Sequence, residues 1–327
     1  MKKVVYQGRS YERLDDETVL RCLLRNDIRV PYSCESGACQ SCTMQVVNGA
    51  IPQNSQADLK ETQKSLGYFK PCVCKPEGDI EVVALDEAHK QKHQLTVVEK
   101  VYLNDEVLRL RLAYDKSFEY RAGQFVNFFK GDLIRSYSLA SLADSENSLE
   151  FHIKRVPAGV VSNWLCDDVQ VGDQLSVAGP MGECFYHQVE NEEGLLAVGT
   201  GSGLAPLWGV VRDALARGFD KPVILCHGGT MPESLYYVDE LRQLEKMHDN
   251  FSYFPCVSGV DESNLPAGIS FGFPNDVAFS KQSALAKWQV FLCGHPEMVS
   301  SARRKAFLVG ASLKDIHADP FLPASPA

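Results

Sequence analysis

The alternation of apolar and polar positions changes character twice along the chain. In residues 1–88 it is mixed. "KVVYQG" predicts a short strand turning at Gly8, and "DDETVLRCLLRNDI" carries apolar residues at helical spacing behind a pair of acids. That pattern predicts an amphipathic helix with acids in its first turn. "TMQVVNG" and the closing "GDIEVVAL" read as strands, with a helical or irregular stretch between them. The polar run "DEAHKQKHQ", residues 86–94, lacks either period and reads as a linker, with His89 and His93 solvated.

From residue 95 to 190 the period is two. "LTVVEKVYLNDEVLRLRLAY", "GQFVNFF", "SLEFHIKRV" and "DQLSVAG" alternate apolar with polar, which predicts an antiparallel barrel interrupted by one short helix, "VVSNWLCDD". Beyond Gly194 continuous apolar runs alternate with helical segments. "LLAVGTGSGLAPLWGVVRDALARG", "PVILCHGG", "ESLYYVDELRQLEKMH", "FSYFPCVSG" and "WQVFLCGHPEMVSSARRKAFLVG" predict a parallel sheet with crossover helices. Three domains follow: 1–88, 89–190 and 191–327.

Composition narrows the chemistry. A net charge of −9 argues against a broad phosphate-binding surface and hence against nucleic acid as partner. No run approaches the length needed to span a membrane, and the N-terminal segment does not read as a secretory signal, so the cytoplasm is expected. In a reducing compartment eleven cysteines point to metal or redox chemistry for some and burial for the rest. Cys22, Cys166, Cys226 and Cys256 fall in helix or strand patterns and read as core. Trp164, Trp208 and Trp288 read as packing residues.

The dense cysteine stretch is "YSCESGACQSC". Its spacing is Cys34-x4-Cys39-x2-Cys42, with Cys72 and Cys74 further on, and no histidine occurs before residue 89. Zinc sites favour C-x2-C pairs or histidine. The observed spacing is that of a plant-type [2Fe–2S] cluster, in which four thiolates wrap two irons and backbone N–H groups point at the sulfurs. Small residues at 36–38 permit the tight path, and either Cys72 or Cys74 could supply the fourth thiolate. Further along, "RSYS" (135–138) ends a barrel strand, followed by "PAGVVSNWL" and "GPMG". "GTGSGLAP" (199–206) links an apolar strand to a helix, where glycines admit a pyrophosphate to the helix N-terminus. "CGHPEM" (293–298) follows the last strand-like run.

Taken together, these motifs resemble the reductase components of bacterial multicomponent oxygenases, in which a plant-type ferredoxin domain is fused to a ferredoxin–NADP reductase pair of flavin and nicotinamide domains. The resemblance implies an α+β β-grasp ferredoxin domain, an antiparallel β-barrel flavin domain and an α/β parallel-sheet nicotinamide domain. In that family a proline follows the fourth cysteine after four residues; Pro76 fits Cys72 and not Cys74. The implied cluster ligands are therefore Cys34, Cys39, Cys42 and Cys72. For the flavin, the resemblance implies Arg135 on the phosphate, Tyr137 on the ring and ribityl chain and Ser138 at flavin N5, with Ser136 among the cofactor-binding residues. Gly159, Val160, Val161 and Ser162 would meet the pyrophosphate, favouring FAD over FMN. For the nicotinamide it implies Gly199, Thr200, Gly201, Gly203, Cys293 and Gly294, with Cys293 beside nicotinamide C4 as a positioning thiol. A C-terminal aromatic, Phe321, would approach the flavin.

Two positions depart from the family pattern. Gln40 stands where many relatives have glycine, and Glu183 and Cys184 precede Phe185 where one residue is usual. Residues 222–241 hold no lysine or arginine but include Glu233, Asp239 and Glu240. That environment would repel a 2′-phosphate, so NADH is the expected donor.

The expected activity is NADH-dependent reduction of a terminal oxygenase, Rieske or di-iron, or its ferredoxin, by way of FAD and then the cluster. The chain is expected to act as a monomer. Eleven basic against thirteen acidic residues in positions 1–88 suit a tethered carrier better than a freely diffusing, strongly acidic one. Alternatives are a flavin reductase acting on free acceptors, a reductase for a non-oxygenase partner such as a deoxysugar dehydrase, and a non-catalytic iron–sulfur protein.

Overall fold

Residues 2–85, 92–115 and 117–322 are described by the computed structural model, and the chain divides into two units, Met1–Gln91 and Lys92–Ala327. In the first, β1 (Lys2–Tyr6) and β2 (Arg9–Arg13) form a hairpin. Its tip, Gln7 and Gly8, takes positive φ at both residues, the geometry that matches strand twist. Helix α1 (Val19–Arg25) starts at Thr18, whose side chain accepts from the Arg21 N–H. The acids expected in its first turn lie ahead of the cap instead. Glu17 turns back to pair with Arg25 at 2.8 Å and to accept from the Leu14 N–H. Strands β3 (Met44–Asn48), β4 (Tyr68–Phe69), which follows the short helix α2 (Glu61–Ser65), and β5 (Ile80–Ala84) complete a sheet of order β2-β1-β5-β3-β4, with β1 and β5 parallel. Leu20 and Leu23 of α1 pack on Val4, Met44, Phe69 and Ile80, the helix-on-sheet arrangement of a β-grasp.

The second unit opens on β6 (Lys92–Tyr102), so His93 is not part of a linker. It pairs with Val177 across the sheet and presents its ring edge to Phe118 at 5.0 Å. The polar "KHQ" disguised a strand because its first and third residues face water. His89 lies outside the described residues. Strands β7 (Val107–Ala113), β8 (Phe125–Lys130), β9 (Leu133–Ser138), β10 (Ser148–Lys154) and β11 (Gln174–Met181) complete the antiparallel order β10-β7-β6-β11-β8-β9. The edge strands β9 and β10 approach one another, closing the barrel. Helix α3 (Val160–Asn163) runs into a wide helical turn ending at Asp168.

A six-stranded sheet follows, every neighbouring pair parallel: β12 (Gly194–Thr200), β13 (Val223–Gly229), β14 (Phe251–Val257), β15 (Ser270–Phe271), β16 (Trp288–Gly294) and β17 (Ile316–Pro320), in the order β15-β14-β13-β12-β16-β17. Helices α4 (Leu204–Ala216), α5 (Val238–Met247), α6 (Pro274–Lys281) and α7 (Pro296–Leu308) cover it. The sequence pattern does not announce β15 and β17, the first because it is two residues long and the second because "IHADP" breaks alternation. Helix α5 begins later than its pattern suggests, since Tyr237 at φ 56° cannot continue a helix backwards.

Barrel and parallel sheet share a core. Val107 of β7, with Cys184 and Tyr186 after β11, packs among Leu204, Leu207, Val210, Phe291 and Cys293. Among the described residues no helix is long and apolar enough to cross a membrane.

Candidate cofactor sites

In the first unit the cysteine loop runs along the surface from Cys34 to Cys39 and dives at Cys42. Glu35, Gly37 and Gln40 all hold positive φ. These left-handed steps turn successive N–H groups inward: those of Ser36 and Cys39 donate to Cys34 Sγ at 3.5 and 3.4 Å. The Ser36 hydroxyl, with these amides, holds the Cys34 thiol down to about 5. Cys42 and Cys72 interact with each other from inside the core, where burial pushes Cys42 up to about 11. The four thiols thus form two pairs, Cys34 with Cys39 and Cys42 with Cys72, as a two-iron cluster with two thiolates per iron requires. N–H donors aimed at sulfur fit the same group. Among the described residues no three metal-ligating side chains converge for a single ion.

Cys74 belongs elsewhere. It is fully buried, its carbonyl accepts from Val19 N–H at 2.9 Å, and burial pushes its thiol up to about 11. Of the small residues, Ser36 and Ala38 are exposed, whereas Gly37 is buried under Val73. Lys70, not singled out in the sequence, is buried with its ammonium on the Ala57 carbonyl at 2.6 Å and packed near Gly37. A cation buried there would offset the negative charge of a cluster held by four thiolates.

In the barrel, β9 presents Leu133, Ile134, Arg135 and Ser136 to solvent, while Tyr137 is half-buried and Ser138 buried. Among the described residues the Arg135 guanidinium hydrogen-bonds the Ile134 carbonyl alone, at 2.6 Å, so it retains donors for an anion. Tyr137 sets its ring edge-on to Phe128 at 5.3 Å, and burial raises its hydroxyl. Ser136 donates to Asn127 at 2.7 Å. At α3, Ser162 Oγ accepts from Val156 N–H and donates to the Gly159 carbonyl, both at 3.3 Å, so this hydroxyl closes its own turn. A Cβ at Gly159 would lie 2.5 Å from it. Val161 points into the core and Val160 outward, leaving backbone N–H groups as the polar face of this turn.

The parallel sheet reverses its order between β12 and β16, and the crevice outside their carboxyl ends is where such sheets receive a dinucleotide. Thr200 and Gly294 flank it, with Thr200 Oγ1 accepting from His295 N–H at 2.8 Å. The glycines divide by function. A Cβ at Gly199, Gly203 or Gly294 would lie within 2.7 Å of Leu207, the Cys293 carbonyl or Thr200 respectively, so these permit two loops to touch. Gly201, at φ 53°, has open space around it. Cys293 has no exposure, and its Sγ lies 3.4 Å from Cys184 Sγ. Phe321 donates its N–H to the Gly294 carbonyl at 2.8 Å, which brings the end of β17 to the same crevice.

Flavin and nicotinamide regions meet through Gly209 of α4. A Cβ there would stand 3.2 Å from the carbonyl oxygens of both Leu139 and Ala140, the residues directly after Ser138. Arg212 on the same helix donates to the Ala140 carbonyl at 2.7 Å. The end of β9 is thereby seated on the helix that starts at the glycine turn.

A buried polar chain also escaped the sequence reading. His227 Nε2 donates to the Gly201 carbonyl at 3.2 Å, and its ring packs edge-on against Tyr236. The Tyr236 hydroxyl meets His152 Nδ1 at 3.0 Å, and His152 Nε2 meets Glu150 at 3.0 Å. Burial lowers both histidines, His152 against the pull of Glu150 and His227 down to about 4. Burial works to raise Glu150, but His152 and Arg111 at 2.6 Å hold it down.

Known proteins place these features together. The model for the 2Fe-2S iron-sulfur cluster binding domain matches residues 4–77, that for the oxidoreductase FAD-binding domain 92–186, and that for the oxidoreductase NAD-binding domain 197–304. The chain is 31% identical to the reductase subunit of an aromatic O-demethylase from Amycolatopsis sp., covering 97% of this chain and 98% of that one. It is equally identical to the ferredoxin–NAD(P)+ reductase component of the naphthalene 1,2-dioxygenase system of Pseudomonas putida, over 93% of each. The crystal structure of the Amycolatopsis cytochrome P450 reductase GcoB superposes with a TM-score of 0.68 at 29% identity, covering 99% of this chain and all of that one. With cluster, FAD and NAD domains in that order and full-length kinship, this chain belongs to the family of iron–sulfur flavoprotein reductases that includes the reductase components of oxygenase systems.

Proposed function

We propose that the chain oxidises NADH at the β12–β16 crevice and delivers electrons, through FAD on the barrel and the [2Fe–2S] cluster of Cys34, Cys39, Cys42 and Cys72, to a terminal oxygenase or its ferredoxin. The supporting observation is the Gly209 contact, which seats the end of the flavin strand on the helix of the nicotinamide crevice. A flavin held there would supply the conversion of an electron pair into the single electrons that a one-electron cluster takes.

The chain's own residues then position and exclude. Arg135 supplies charge-assisted donors to the flavin phosphate, and the N–H groups after Gly159 extend that polar face. Tyr137 and Ser138 line the buried end of β9. Gly201 admits the dinucleotide's backbone, and Cys293 sits as a packed, protonated thiol at the floor of the crevice, raised by burial. Glu233 in the loop after β13, and Asp239 and Glu240 in the first turn of α5, are exposed. Their charge would oppose the 2′-phosphate of NADPH.

An anaerobic titration with NADH tests the pathway: flavin absorbance falls first, and the cluster bands bleach after it. Cluster bands that persist beside reduced flavin would refute the route. Comparable turnover with NADPH at low concentration would overturn the donor assignment. Coupled turnover with purified candidate oxygenases and ferredoxins identifies the acceptor.

A further inference from the structure

Cys184 and Cys293 are 109 positions apart in sequence, yet their sulfurs lie 3.4 Å apart in a buried site. Neither is in a disulfide. Cys184 follows the last barrel strand, and Cys293 closes β16 at the crevice. Both backbones are clamped. The absent Cβ of Gly123 would fall 2.1 Å from the Cys184 carbonyl oxygen, and that of Gly203 would fall 2.3 Å from the Cys293 carbonyl oxygen. With the main chain fixed on both sides, the two side chains face each other. Bonded sulfurs sit about 2.05 Å apart, so side-chain rotation has only about 1.3 Å to close.

We propose that Cys184 and Cys293 form a thiol oxidation site that takes a small two-electron oxidant of the peroxide class and becomes a disulfide joining the barrel to the parallel sheet, drawing the Cys293 sulfur away from the crevice. Its effect on turnover rests on Cys293 lying beside the nicotinamide; the bond itself does not. Cys184 keeps 6% exposure and Cys293 none, so Cys184 is the sulfur that meets the oxidant. Its sulfur attacks the peroxide, the O–O bond breaks, and one water leaves behind a sulfenic acid. The Cys293 sulfur then attacks that sulfur, the S–O bond breaks, and a second water leaves with the remaining thiol proton. Two thiols and one hydrogen peroxide become one disulfide and two waters.

The FAD- and cluster-loaded chain is treated with hydrogen peroxide, alkylated, digested and read by mass spectrometry, with NADH-to-dye activity followed in parallel. The expected result is a cross-linked peptide joining Cys184 to Cys293 and two hydrogens lighter than its parts. Activity falls about tenfold or more in step with it, given how steeply rate depends on placement in the crevice, and returns with dithiothreitol. Cys184→Ser gives no such peptide and keeps its rate under the same peroxide. Absence of the peptide in the natural chain overturns the oxidation site, as does an equal, dithiothreitol-reversible loss of rate in Cys184→Ser. Complete cross-linking with an undiminished rate overturns instead the placement of Cys293 beside the nicotinamide, and leaves the oxidation site standing.

Discussion

The Cβ that Gly203 lacks would lie 2.3 Å from the Cys293 carbonyl oxygen and 2.6 Å from its carbonyl carbon, closer than unbonded atoms can sit. The glycine turn after β12 and the end of β16 are therefore in backbone contact. Gly203→Ala should cost about 1–3 kcal/mol and most NADH-to-dye activity, because backbone must move. Gly201→Ala meets no atom but strains a left-handed residue, at about 1 kcal/mol, and should raise KM for NADH with the fold intact. Thermal melts and steady-state kinetics of the two variants separate packing from ligand approach.

Cys72→Ser should abolish the visible absorbance of the [2Fe–2S] cluster. Cys74→Ser, which alters only a packed thiol beside Ser55, should keep the spectrum and lose about 1 kcal/mol of stability. Retained cluster absorbance in the first and loss in the second would exchange the assignments.

Removing the Arg135 guanidinium should weaken FAD by roughly tenfold to a hundredfold, the worth of a charge-assisted hydrogen bond. Among the described residues the Arg135 guanidinium hydrogen-bonds only the neighbouring carbonyl, so the melting point of the flavin-free chain should not change. Flavin fluorescence on dilution measures the first, and circular dichroism the second.

His227 should make the fold acid-sensitive. Burial pushes it to about 4 against an ordinary 6.5, so on acidification the unfolded chain takes a proton that the folded chain refuses. Its contribution is complete above pH 6.5 and drains as pH falls toward 4, amounting to about 2 kcal/mol between pH 7 and 5. Denaturant unfolding of His227→Gln should lose less over that interval than the natural chain; equal losses would mean the imidazole does not carry the effect.

Ala38 is exposed on the cysteine loop, with Ser36 beside it. A tryptophan at 38 should slow electron delivery to the protein acceptor and leave NADH-to-dye activity unchanged. An equal loss of both would show that electrons do not leave by this face.

What could be read from sequence is what lies close in sequence. The C-x4-C-x2-C loop, the "RSYS" strand end and the glycine turn each place their chemistry within a dozen residues, and period-two and apolar-run patterns located the sheets that carry them. The pairing of Cys184 with Cys293, the chain from Glu150 through His152 and Tyr236 to His227, and the seat of Ala140 on Arg212 join residues from different strands and helices. No local spacing encodes such contacts. His93 reads as linker for a related reason: a strand end with two solvated residues resembles one until its partner strand is known. The close approaches that Gly199, Gly203 and Gly294 permit are likewise visible only from the atoms around them.

The order of strands in the parallel sheet bears on how the chain is made. The nicotinamide crevice needs both β12 and β16, and β16 emerges from synthesis long after the cysteine loop and barrel strands have been produced. Domains tend to fold in the order they appear. The outlet for electrons can thus form before the inlet exists, and a nascent or prematurely ended chain has no completed crevice through which NADH could charge an exposed cluster.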